Sequence, residues 1–457
     1  MDINIKKNEN AVCDAITDNS IIFSLNRYNN RNVYTNFPEK INRMGFKDVT
    51  AVYEDLFVIG LSIFAIDKRI SRSLFNDNWT RILNVNIPVI ESDKWNNFTD
   101  EINSMLCFLT GDKWNISFRS TEESLFHSDK KYRNTISVPQ CNSVCLFSGG
   151  LDSFCGAITL LKEGKSPCLI GHNEYPKLRK KQESLVRMFR EEYPEQNTEF
   201  VSFNAGSRAP KFANGEEFLG SENTSRGRSL LFLCVALVMA SVLGDNIPVY
   251  IPENGFIGLN VPLTNNRKGS CTTRTTHPHF LNMFRELLRN VGIRNEIINF
   301  FAYETKRNIV NSVKEENAFK RGYLETISCS HPCIPRYNKN GSKDYPINCG
   351  YCYPCIIRKS SLLDVPNGNQ GYTENLLTMD YINKNSHKDI INDFKAVISA
   401  VYRFKHIDEK ELIRLIKGTG KLSNDEINIF KYVYSDSISD IIELLSMDPE
   451  VKEYIEL

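Results

Sequence analysis

The sequence predicts an α/β protein: a doubly wound parallel sheet with a glycine-rich loop, preceded by an α+β region and followed by a helical tail. Three observations carry this. From about residue 141 short apolar runs alternate with amphipathic helical stretches, the pattern of a parallel sheet. One strand-to-helix junction, "VCLFSGGLDSFCGAITLL" at 144–161, has two adjacent glycines between a buried run and a helix. The segments before 141 and after 365 lack the alternation.

In the first region, "NVYTNF", "WTRILNVNIPVI" and "WNISFRS" are aromatic and alternating, which predicts strands. "DLFVIGLSIFAIDKRI" and "FTDEINSMLCFLTG" predict helices between them. From 141 onward the order is strand 144–147, a helix after Gly150, strand "PCLIGHN", helix "RKKQESLVRMFREEY", strand "TEFVSFN", a helix after Arg228 and strand "IPVYIPEN". Beyond 365, "IINDFKAVISAVYRF" and "KELIRLIKG" have helical spacing and no visible chemistry. The expected division is 1–140, 141–364 and 365–457, and 457 residues have room for two or three domains.

The glycine junction is where the sequence points to chemistry. A helix starting directly after a glycine turn offers unpaired N–H groups and the positive end of its dipole, a setting for phosphate. Gly149 and Gly150 let the main chain approach an anion closely, and Ser148 and Ser153 add hydroxyl donors. Leu151 is part of the same turn, and Asp152 can cap the first turn or help to place a metal. A Walker A loop needs Lys-Ser/Thr after its last glycine, whereas Leu151 and Asp152 follow here, so γ-phosphoryl transfer is disfavoured. G-x-G-x-x-G does not fit either. The competing reading is a plain turn.

A formal net charge of +1 makes no electrostatic case for a nucleic-acid or membrane partner. The longest apolar stretch, 230–243, lies between Arg228 and Asp245 and is too short to span a bilayer. "MDINIKKNENAVCDAI" lacks the apolar core of a signal peptide, so a cytoplasmic location is expected. Thirteen cysteines in that compartment are expected as thiols. Five of them fall between Cys329 and Cys355, and Cys349, Cys352 and Cys355 form C-x2-C-x2-C. With Cys329 as fourth ligand, and Cys333 or His331 as alternates, this matches a structural tetrahedral Zn²⁺ site. Iron–sulfur ligation uses similar spacing, and zinc is preferred.

Ser148-Gly149-Gly150-Leu151-Asp152-Ser153 resembles the SGGxDS pyrophosphate loop of PP-loop ATP-dependent ligases, whose fold is Rossmann-like. Taken with Cys329, Cys349, Cys352, Cys355 and the trailing Arg358, residues 141–363 are similar to the 7-cyano-7-deazaguanine synthase (QueC) family. "SRGRSLLFLCVALVMASVLG" is similar to that family's Arg-Asn segment, with Arg228 at the arginine and Ser229 replacing asparagine. "ENGFIGLNVPLTNNRKGSCTTRTTHPHF", "AIDKRISRSLFNDNWTRILNVNIPV" and "FLTGDKWNISF" extend the resemblance to the longer QueC-like proteins of anti-phage operons, the QatC-type subgroup.

That resemblance implies adenylation of a deazapurine carboxylate with ATP and Mg²⁺, and release of pyrophosphate. Residues 148–153 would hold the pyrophosphate portion, with Asp152, Ser153 and Arg228 as catalytic helpers. It implies transfer to a nitrogen: ammonia in the synthases, and in the subgroup an amine on a partner protein of the defence operon. The 253–280 segment is polar, follows a strand and reads independently as a substrate loop, with Arg267, Arg274 and His277 suited to a carboxylate, phosphate or purine edge. Asn254 and Asn260 join them through the resemblance. A surface loop is the bland alternative, and His277 alone could serve only a backbone carbonyl. Rival functions are a PP-loop RNA-modifying enzyme and a non-catalytic nucleotide-binding module.

Overall fold

A computed structural model describes residues 1–8, 17–25, 31–46, 49–127, 140–222, 226–264, 274–334, 345–374, 377–385 and 391–456. The first region contributes β1 (Asp2–Lys6), β2 (Ile21–Ser24), β3 (Val33–Thr35), helix α1 (Ala51–Arg69), β4 (Ile82–Val89), helix α2 (Thr99–Thr110) and β5 (Lys113–Ser120). Alternation sets the inner face: Trp114, Ile116 and Phe118 of β5 are buried while Lys113, Asn115 and Ser117 are exposed.

The second region runs β6 (Ser143–Leu146), α3 (Leu151–Lys162), β7 (Pro167–His172), α4 (Pro176–Glu192), β8 (Glu199–Phe203), β9 (Ala205–Ser207), β10 (Lys211–Phe212) and α5 (Gly227–Leu243). It continues with β11 (Val249–Tyr250), α6 (Gly255–Leu259), α7 (Pro278–Asn290), β12 (Ile297–Ile298), α8 (Lys306–Val313) and α9 (Tyr353–Ser361). Helices α10 (Asn392–His406), α11 (Glu409–Lys417), α12 (Asn424–Leu445) and α13 (Pro449–Glu456) form the tail.

One sheet has the order β12-β11-β6-β7-β8, all parallel. The chain steps from β6 outward to β7 and β8, then returns to the other side of β6 as β11 and β12. The strand order therefore reverses at β6, and crevices at such switch points, beyond the carboxyl ends of strands, are where open α/β sheets bind ligands. The glycine loop is the turn leaving β6.

The other sheet has the order β10-β2-β1-β4-β5. Its first-region strands run parallel, so this region is not the α+β mixture that the sequence suggested. The reason is local: α2 lies between β4 and β5 and returns the chain so that the second strand starts in the same direction as the first.

The two regions exchange elements. β10 pairs antiparallel with β2, and β3 pairs antiparallel with β9. Helix α1 packs on the first sheet, α5 packs on the second, and the helices face each other. A Cβ added at Gly60 would sit 2.7 Å from Cys234 Sγ, and one at Gly227 would sit 2.9 Å from the Phe64 backbone, so glycine permits this close crossing. One apolar core runs through both regions. The tail helices share a second core with α6, α9 and three cysteines of the cluster. No helix among the described residues is long and apolar enough to cross a membrane.

Candidate functional site

The glycine loop is held from behind by α4. Gly149 has φ +83°, a left-handed conformation that favours glycine, and a Cβ there would meet Gln182 Cγ at 3.1 Å. Gln182 Nε2 donates to the Ser148 carbonyl at 3.0 Å and the Phe147 carbonyl at 3.3 Å, which fixes the strand's exit. The Gly150 amide donates to Ser148 Oγ at 3.2 Å, and Ser153 Oγ donates to the Gly150 carbonyl at 3.0 Å. The amides of Asp152 and Ser153 reach no acceptor among the described residues. Open amides in the first turn of a twelve-residue helix form an anion-binding geometry.

Asp152 is 8% exposed. Its Oδ2 accepts from Asn254 Nδ2 at 2.9 Å and from Lys306 Nζ at 2.8 Å, while Oδ1 is buried without a donor. Asn254 also caps α6, with Oδ1 accepting the Ile257 amide at 3.0 Å. Lys306 begins α8 behind the capping residue Thr305, whose Oγ1 accepts the Asn308 amide at 3.1 Å. Glu253, next to Asn254, faces Asp152; burial first, and the Asp152 charge second, raise its carboxyl to about 8. Asp152 thus pairs with a buried lysine and faces a second carboxyl group. Such oxygens suit Mg²⁺, which takes one or two carboxylates and completes its shell with water and phosphate.

These groups open into a cavity of about 480 Å³. Ser148, Gly150, Asp152, Ser153, Arg228 and Lys306 reach it from the polar side, and Leu146, Phe232, Leu233 and Ile251 supply apolar wall. Arg228 pairs with Glu174 and is half exposed. His172 also lines the space; burial, then Arg228, lower it to about 4, so its ring is neutral near pH 7.

The predicted substrate residues separate. Asn254 is in the site. Asn260 has φ +50° and ends α6. Arg274 turns away to the first region, its guanidinium 4.8 Å from the Phe108 ring centre and Nη1 donating to the Phe108 carbonyl at 3.1 Å. His277 is fully buried as the cap of α7, with Nδ1 accepting the His279 amide at 3.1 Å and Nε2 lying 3.0 Å from Thr419 Oγ1. It ties α7 to the tail. Arg267 lies outside the described residues. Thr275 and Thr276, between Arg274 and His277, do line the cavity. Sequence reasoning also missed Glu253, Lys306, His172 and Ser328. Lys306 had one available signal, a Thr-Lys helix start after a strand.

The cluster of Cys329, Cys349, Cys352 and Cys355 has all four Sγ atoms within 4.8 Å of one another. Cys329–Cys352 and Cys349–Cys355 are each 3.8 Å apart. Tetrahedral ligands at a Zn–S length of about 2.3 Å lie ~3.8 Å apart, so the four sulfurs fit zinc. Backbone amides already point at them: His331 and Cys349 donate to Cys329 Sγ at 3.2 and 3.3 Å, and Cys352 donates to Cys349 Sγ at 3.4 Å. Such bonds favour the thiolate form that a metal needs. The cations Lys359 and Arg358 are buried nearby; burial lowers Lys359 to about 8. His331 contributes its amide, and Cys333 lies outside the cluster.

Fold and site together define an α/β protein with a glycine loop and an acid pair at its switch point, flanked by a four-cysteine site suited to a metal. No family model matches the chain, and a search of curated proteins finds no match.

Proposed function

We propose that the protein is an ATP-dependent ligase that adenylates the carboxylate of a 7-carboxy-7-deazaguanine-like molecule and passes the acyl group to a nitrogen nucleophile. The observation that carries this reading is the S-G-G-L-D-S turn, with two open amides, inside a cavity that also receives Lys306, Arg228 and a buried acid pair. A substrate carboxylate oxygen attacks the α-phosphorus of ATP and the α–β P–O bond breaks. Acyl-adenylate and pyrophosphate result. Charge grows on the leaving pyrophosphate, and fixed N–H donors and cations stabilise it without reorganising.

In this reading the amides of Asp152 and Ser153 and the hydroxyls of Ser148 and Ser153 hold the pyrophosphate portion, and Lys306 neutralises it. Asp152 and Glu253 would hold Mg²⁺, which supplies Lewis-acid charge at the phosphate oxygens when bound. Zn²⁺ in the cysteine cluster would be structural, because four protein thiolates leave no position for substrate. The nitrogen nucleophile then attacks the acyl carbon, AMP leaves, and the amine loses a proton.

We assign the acceptor as an amine on a partner protein in an anti-phage defence setting. The support is the resemblance to the QatC-type subgroup. The first test is conversion of ATP to AMP and pyrophosphate with and without 7-carboxy-7-deazaguanine, beside Asp152→Ala. Substrate-dependent pyrophosphate lost in the variant is expected; no turnover, even with the operon's other proteins added, would sink adenylation. Isotope-labelled deazapurine that ends only in small molecules would leave adenylation standing and make ammonia the acceptor.

A further inference from the structure

Residues 326–330 lie between the cysteine cluster and the glycine loop and bond to both. The Ile327 amide donates to the Gly149 carbonyl at 2.9 Å, and Ser328 Oγ accepts the amide of Leu151, the first residue of α3, at 3.0 Å. Cys329, the next residue, belongs to the cluster. From the other side Asn348, which directly precedes Cys349 and is 2% exposed, grips the same segment. Its Oδ1 accepts the Ser328 amide at 2.9 Å, and its Nδ2 donates to the Thr326 carbonyl at 3.0 Å. Arg358, three residues past Cys355 on α9, donates to Thr326 Oγ1 and, at 2.6 Å, to the Tyr323 carbonyl.

We propose that Ser328 is a phosphate-binding residue of the glycine loop, and that Asn348 is the positioning residue through which the metal-loaded cysteine cluster holds Ser328 in place. A hydroxyl offers one proton and two lone pairs. The Leu151 amide uses a lone pair, and the proton meets no acceptor among the described residues. Beside it are the open amides of Asp152 and Ser153 and the undonated, buried Oδ1 of Asp152. An anionic oxygen completes all but the last, and a phosphate-bound cation completes that one. A Cβ at Gly150 would come within 3.4 Å of Ser328 Oγ, so the hydroxyl is seated on the loop itself.

The metal is part of this because Ser328 has little else to fix it. It is half-buried, Ser330 two residues on is exposed, and its bonds run to Asn348 and α3. With metal bound, Cys329 and Cys349 are clamped within one coordination sphere, and the Ser328–Asn348 bond joins the residues next to them. Metal and phosphate then assist one another, and the assistance is reciprocal. This proposal rests on reading the cavity as a phosphate site.

The test uses the full chain as purified with metal, with inorganic pyrophosphate and α,β-methylene ATP as probes. Calorimetry gives affinity, and transfer to a coloured chelator gives the rate of metal loss. Ser328→Ala should weaken pyrophosphate by roughly tenfold or more, the value of a hydrogen bond to a charged group, with metal content unchanged. Ser328→Thr should restore binding. Pyrophosphate should slow metal loss in the wild-type protein, and Asn348→Ala should abolish the slowing while still holding one metal. Should that variant lose its metal, Asn348→Asp keeps the acceptor for Ser328 and should keep part of the slowing. Unchanged binding in Ser328→Ala, or metal loss indifferent to pyrophosphate in the wild type, would overturn the proposal. If the wild type binds pyrophosphate normally in those cases, the phosphate site survives without it; if neither probe binds, both fall.

Discussion

Replacing Glu253 with glutamine should make the protein more stable at alkaline pH. The carboxyl is raised from an ordinary 4.5 to about 8 because burial and Asp152 both oppose its charge. For a raised carboxyl, the stabilisation is fully present below the unfolded value and disappears as pH climbs through the folded value. The window is therefore pH 4.5 to 8. At ~1.4 kcal/mol per pH unit the ceiling is about 5 kcal/mol. Glu253 lines an open cavity that water can enter and relax, which brings the expected difference to the order of 2–3 kcal/mol. Glutamine has the same shape, cannot ionise, and donates an N–H to Asp152. The assay is denaturant unfolding of both proteins from pH 5 to 9, comparing slopes against pH so that titrating groups remote from the pair cancel and the difference belongs to Glu253 together with Asp152. Wild-type stability should fall relative to Glu253→Gln as pH rises and level off above 8. Parallel curves would refute the claim that this acid is buried against Asp152. An acid kept at such a cost is the kind of strain that collects at functional sites.

His277 runs the opposite way. Burial first, and Arg274 second, lower it to about 3, so the stabilisation it gives is present above its unfolded value near 6.5 and is lost as pH falls towards 3; His277→Gln should flatten acid unfolding in that window. Gly149→Ala forces a Cβ into a left-handed conformation and to 3.1 Å from Gln182 Cγ, which should cost about 1–2 kcal/mol in unfolding experiments and weaken pyrophosphate binding. Purified protein should carry one zinc per chain by metal analysis. Cys352→Ser should remove it and increase protease cleavage between 326 and 361, since the four sulfurs join the segment at Cys329 to the start of α9.

The parts of the site legible in the sequence are those written by local geometry. Gly149 and Gly150 between a buried run and a helix announce an anion turn, and C-x2-C-x2-C announces a metal knuckle, because both depend on neighbours a few residues apart. The acid pair with its lysine was illegible for the converse reason: Lys306 is separated from Asp152 by 154 residues, and only the parallel order β6-β11-β12 brings them together. Arg274 and His277 show how residue type alone misdirects. Both look like ligand chemistry, yet one stacks on Phe108 and the other begins a helix. His-Pro followed by an apolar period was a readable start signal, with His277 as cap and Pro278 at the first helical position.

The first region bears on the site more directly than its distance in sequence suggests. Asp67, near the end of α1, accepts the amides of Arg226 and Gly227 with Oδ2, so a carboxylate from the first sheet's own helix caps α5. Arg228 and Ser229, two cavity residues, occupy the first turn of that capped helix. Asp67 is in turn oriented by Arg81, which also pairs with Asp112, and Asp112 pairs with Arg72. All four charges are buried, and removing one partner from such a network leaves another uncompensated, at about 3–5 kcal/mol. The network therefore holds the end of α1 firmly against the start of α5, whose first turn carries Arg228. With β3 paired to β9 and β10 paired to β2, the first region is built into the scaffold that holds the start of α5, the helix whose first turn carries Arg228.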